Sequence, residues 1–191
     1  MTVEEIVADV TGRLHRAGIP YAVGGSLASS IWGQMRNTND ADIAIRLAIA
    51  DIPSLKAGFG DPYHVSEAEI REVLSTSGDF RTVQLLHMDE AFKIDLFLLS
   101  NGAYETSELE RARAIEISPG TTVRFSAPEN IILAKLRGYL LGNRVSDRQW
   151  NDIVHVLEVQ RGKLDDAYLD EWAAHFAVDD LLKEAQSQAF S

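Results

Sequence analysis

Apolar residues recur at Val3, Ile6, Val7, Val10 and Leu14, the spacing of one helical face, and Gly18 and Pro20 end the run. Tyr21-Ala22-Val23 predicts a short strand that leads into Gly24-Gly25-Ser26, with Ser26 as the N-cap of a small-residue helix over 27–33. From Asp40 the period changes to two: Ala41, Ile43, Ile45 and Leu47 share one face, and Asp40, Asp42, Ala44 and Arg46 share the other. Residues 51–78 read as two short helices joined by a loop at Gly60-Asp61-Pro62. Segments 80–86 and 92–99 predict an antiparallel pair of strands joined by 87–90. A charged helix follows over 105–114, then a hairpin of 115–117 with 122–125 around Pro119-Gly120. From Pro128 the pattern is helical, first to Gly142 and then in three further helices near 147–161, 165–176 and 179–189. The expected fold class is α+β: a mixed-sheet core over 1–126, with a helical C-terminal region over 127–191 packed on it.

Charge narrows the partners. The 191 residues carry 18 Lys plus Arg against 29 Asp plus Glu, a net charge of −11. A field of that sign does not favour general nucleic-acid binding, which needs a basic surface to neutralise phosphates. The absence of cysteine removes disulfides, thiol catalysis and thiolate metal sites together. The acidic, amphipathic start MTVEEIVADV does not read as a secretory leader, and no apolar run approaches the ~20 residues that span a bilayer. The expectation is a cytoplasmic protein with no membrane partner.

The chemistry lies in the polar face of the period-two segment. Asp40 and Asp42 point to the same side of a strand, where two carboxylates repel unless a cation lies between them or one takes up a proton. An all-oxygen pair of this kind suits magnesium or manganese; the plainer reading is an ordinary solvent-facing strand. Asp95, inside the apolar run 92–99, is the third carboxylate that a two-metal phosphoryl-transfer site requires. Its plainer reading is an aspartate on the exposed edge of the sheet. The Gly24-Gly25-Ser26 turn between strand and helix offers backbone N–H groups to phosphate oxygens. Trp150 and Trp172 lie in helical apolar stripes and read as core residues.

Taken together, VGGS (23–26), RNTNDADI (36–43) and KIDLF (93–97) resemble the nucleotidyltransferase superfamily of the polymerase-beta type. The Arg-x-Thr-x-Asp-x-Asp form, with Arg36 and Thr38, is similar to that of small bacterial nucleotidyltransferases and abortive-infection toxins. The resemblance implies metal-dependent transfer of a nucleoside monophosphate from an NTP to an acceptor hydroxyl on an RNA end, a protein or a small molecule, with a toxin–antitoxin or defence role in some relatives. It implies that Asp40 and Asp42 bind two Mg2+ or Mn2+ ions, and that Asp95 binds one and helps activate the nucleophile. Gly24, Gly25, Ser26, Arg36 and Thr38 would contact the nucleotide. Lys135, in SAPENIILAKL (126–136), would join Arg36 in neutralising phosphate charge. Asp152 resembles an aspartate of the toxin relatives, although its spacing from Arg148 reads as a surface i,i+4 pair. The competing expectation is a catalytically inert, nucleotide-binding or antitoxin-like regulatory protein that acts through a partner protein.

Overall fold

Helix α1 (Val3–Arg16) opens with a capping box, Thr2 accepting from the Glu5 amide while Glu5 reaches back to the Thr2 amide, and it buries Ile6, Val7, Val10 and Leu14. Strand β1 (Tyr21–Val23) is buried throughout, and helix α2 (Gly25–Trp32) follows it directly. Strand β2 (Asp40–Ile45) carries the alternation expected of it, with Ala41, Ile43 and Ile45 at most 1% exposed. Next come α3 (Ile52–Gly58), β3 (Tyr63–Val65), α4 (Glu67–Ser75), β4 (Thr82–His87), β5 (Phe92–Leu98), α5 (Ala103–Arg111), β6 (Arg113–Ser118) and β7 (Thr121–Phe125). The chain ends in α6 (Pro128–Leu141), α7 (Asp147–Val159), α8 (Asp166–His175) and α9 (Asp179–Ala189). This computed structural model describes residues 1–76, 78 and 81–191, so Phe80, the first residue of the strand expected over 80–86, lies outside the described residues.

Among the described residues the strands form one mixed seven-stranded sheet in the order β3-β4-β5-β2-β1-β7-β6. The β2–β5 and β1–β7 pairs are parallel and the others antiparallel, including the hairpins β4–β5 and β6–β7. One element departs from expectation. Residues 63–65, expected in the second of two short helices, add to β4 as an edge strand, with Tyr63 and Val65 turned inward and the Tyr63 ring 4.9 Å from that of His87. Three residues hold too little of a period for the pattern to register, and the pairing itself makes the strand.

The residues divide into two compact units: Met1–Gly24 with Thr38–Phe125, and Gly25–Asn37 with Ser126–Ser191. The first contains the whole sheet with α1, α3, α4 and α5. The second contains α2 together with α6 to α9, so the segment 25–37 groups with the C-terminal helices and not with the sheet around it in sequence. Within this unit Trp32 Nε1 donates to the Ser126 carbonyl and Gln160 Nε2 donates to the Trp32 carbonyl, both at 2.8 Å. Gly33 allows the close approach of α2 to α7, since a Cβ there would stand 3.0 Å from the Val156 amide nitrogen. Trp150 and Trp172 are not core residues as expected: both are half-buried, and Trp150 Nε1 reaches Gln188 at 2.8 Å. No described helix is long and apolar enough to cross a membrane.

The buried face of β2 and β5 supplies much of the packing in the sheet unit, with Ile43 and Ile94 fully buried. Ile43→Ala should cost about 2–5 kcal/mol in a urea titration, with a melting temperature lower by roughly 2–4 °C per kcal/mol for a chain of this size.

Candidate active site

Parallel pairing of β2 with β5 sets Asp40 beside Lys93 and Asp42 beside Asp95. Residues opposite one another in a sheet project to the same face, so the three expected carboxylates share the polar face of the two strands. Asp95 is not at a sheet edge, because β5 lies between β4 and β2. Its side chain is 15% exposed, and it shares its face with Lys93 while Ile94 and Leu96 point into the core.

Each polar group here has a defined neighbour. Thr38 Oγ1 donates to Asp40 Oδ1 at 2.6 Å, so the hydroxyl expected to contact a nucleotide orients a carboxylate. The Gly24 amide donates to the Asp42 carbonyl at 2.8 Å, which ties the start of the glycine turn to the strand bearing the acids. Lys93 Nζ stands 2.7 Å from Asp95 Oδ2. The hydrogen bond to Asp95 raises the lysine's pKa most; burial opposes it, and the charges of Asp95, Asp40 and Asp42 add to it. Lys93 escaped the sequence reading, yet Lys-x-Asp on a period-two strand places both side chains on one face. Among the described residues, no three acidic or histidine side chains close into a metal-sized cage. A cavity of about 500 Å³ in the same unit lies away from the carboxylates, lined by His15, Arg46, Leu109 and Arg124 among others.

The helical unit holds the remaining candidates. Gly25 has φ +55°, a conformation that glycine adopts without penalty and that turns the chain from β1 into α2. Ser26 lies inside the first turn of α2, not at its N-cap, and its hydroxyl accepts from Arg36 Nη2. The same guanidinium grips Asp152 through two bonds, Nε to Oδ1 and Nη2 to Oδ2, both 3.0 Å. Lys135 Nζ donates to Asp152 Oδ2 at 2.8 Å. Arg36 and Lys135 therefore converge on one buried carboxylate, whose side chain is 7% exposed, and Ser26 joins them through Arg36. The expected surface pair of Asp152 with Arg148 is overturned: the aspartate faces inward toward α6 and the loop after α2. A helical wheel does not show which long cations reach a buried acid, and this partner set had no sequence signal beyond the family likeness.

Burial acts to raise the Asp152 carboxyl's pKa, but the hydrogen bonds from Arg36 and Lys135, with their charges, outweigh it and hold the group below its usual 3.8. A depressed carboxyl contributes stability that is present above 3.8 and lost as pH falls through the lower folded value. Removing one partner of a buried ion pair leaves uncompensated charge, so Asp152→Asn should lose about 3 kcal/mol at pH 7. Urea titrations from pH 7 downward should show the gap between variant and parent closing in acid, below the ordinary carboxylate range.

No family model matches the sequence, and no curated protein matches it. Solved structures do. ANT(2")-Ia, in a crystal structure in complex with adenylyl-2"-tobramycin, superposes with a TM-score of 0.59 at 15% identity, covering 92% of this chain and 98% of that one. An antigenic nucleotidyltransferase-like protein from Paracoccidioides brasiliensis gives a TM-score of 0.55 at 17% identity, covering 96% and 91%. At these identities the likeness is one of fold, and it runs nearly the full length of all three chains. With its mixed seven-stranded sheet and C-terminal helices, the chain has the nucleotidyltransferase fold.

Proposed function

We propose that this chain is a metal-dependent nucleotidyltransferase that moves a nucleoside monophosphate from an NTP to an acceptor hydroxyl. The observation that carries this reading is the register of β2 on β5, which sets Asp42 beside Asp95 and leaves Asp40 on the same face. The donor chemistry suits a hard divalent cation: the side chains on this face offer only oxygen ligands, and one of them, Asp95, pairs with a cation, the Lys93 ammonium. Asp40, Asp42 and Asp95 would hold two Mg2+ or Mn2+ ions, which when bound supply Lewis-acid stabilisation of the phosphoryl group.

The chain's own groups divide the remaining work. Asp95 takes the proton of the acceptor hydroxyl as its oxygen bonds to the α-phosphorus. The bond from that phosphorus to the bridging oxygen breaks, and pyrophosphate leaves with the electron pair. Thr38 keeps Asp40 in its rotamer through the 2.6 Å bond. Backbone amides of Gly25 and Ser26, at the N-terminus of α2, suit phosphate oxygens. Arg36 and Lys135 place two positive charges around one aspartate, and the surplus charge suits a triphosphate.

The net charge of −11 favours a cationic small molecule or a protein over RNA as acceptor. The adenylyl-2"-tobramycin bound to the ANT(2")-Ia structure is an adduct of the small-molecule class, and it supports that choice. A protein acceptor would suit a toxin–antitoxin role.

Incubating the protein with α-labelled NTPs, magnesium and fractionated lysate should label one fraction. Asp42→Asn should abolish that labelling by about a thousandfold or more, since several kcal/mol of metal-borne stabilisation goes with the ligand. Equal labelling by parent and Asp42→Asn would overturn the reading. Lys135→Ala should weaken NTP binding about tenfold, the lower end of a lost charge-assisted bond. Lys135→Arg should largely restore it, as read by equilibrium dialysis.

A further inference from the structure

The Lys93 ammonium lies at one corner of a four-residue patch. It stands laterally beside Asp40, two residues before Asp95 on the same face, and diagonally from Asp42. Its Nζ is 2.7 Å from Asp95 Oδ2, and attraction from all three carboxylates reaches it. We infer that Lys93 is the internal counter-cation of the carboxylate patch, pairing with Asp95 and leaving it when a divalent cation binds. This rests on the proposed metal site and adds a residue that sets how tightly the site takes metal.

The argument is one of charge and reach. The register sets three acidic side chains on neighbouring strands against a single lysine. Without the ammonium the acids on adjacent strands would repel one another. Lys93 relieves that repulsion, and the oxygen it holds is one that a metal would need. The lysine side chain is 42% exposed, so its flexible stem can swing the charge into solvent without unpacking the sheet. A divalent ion therefore competes with a tethered monovalent one, and net affinity is the difference between them.

The test is Mn2+ binding followed by electron paramagnetic resonance, with melting measured in EDTA and in Mn2+, for the parent, Lys93→Met, Lys93→Arg and Asp42→Asn. Lys93→Met should bind Mn2+ about tenfold more tightly than the parent. It should melt lower in EDTA and gain more from Mn2+, because the metal replaces the missing charge. Lys93→Arg should keep the parent's affinity. If Lys93→Met binds Mn2+ no more tightly than the parent, while Asp42→Asn loses binding, the metal site stands and the displacement is overturned. Equal Mn2+ binding by the parent and Asp42→Asn removes the carboxylates as the metal site, and the displacement with them.

Discussion

The register of β2 against β5 is the constraint on which the candidate chemistry depends. With Asp42 opposite Asp95, the apolar residues Ala41, Ile43, Ile94 and Leu96 fall together into the core. A slip of one residue in β2 would exchange its faces, burying two carboxylates and exposing two isoleucines. Packing and placement of charge are thus decided by the same pairing. The parallel arrangement extends the effect, because lateral neighbours keep the same sequence direction and the Lys93–Asp95 spacing repeats the Asp40–Asp42 spacing beside it.

In the helical unit a different solution serves a similar need. Asp152 is nearly buried, and a carboxylate removed from water is costly unless charge and hydrogen bonds meet it. Arg36 supplies two parallel bonds and Lys135 a third, from the loop after α2 and from α6. Arg36 also reaches Ser26, so the glycine turn, the loop and two helices share one network. The guanidinium's fork geometry suits this task, where a lysine would make one contact in place of several.

How much of this was legible in the residues differs by element. The two-residue period at 40–45 exposed both the strand and the carboxylate face, because alternation is a property of the backbone itself. The apolar run at 92–99 exposed β5, and with it Asp95. Strand β3 was hidden, since three residues become a strand by pairing and not by propensity. The partners of Asp152 were hidden for a related reason: Arg36 and Asp152 are 116 residues apart, and local periodicity carries no information over that distance. Lys93 was hidden inside the apolar run 92–99, although its spacing from Asp95 sets its charge among the acids.

The division of the chain into units has a consequence for how such a protein can be cut or recombined. The polypeptide passes from one unit to the other at 24/25, again at 37/38 and a third time at 125/126. A fragment ending near 126 would keep α2 but strip it of Gln160, Asp152 and the close approach of α7 at Gly33. A fragment beginning there would lack the helix to which those groups bind. The helical unit is therefore discontinuous in the gene as well as in the chain, and no single crossover could exchange it for another. Exchanging this unit would require residues 25–37 and 126–191 to be replaced together.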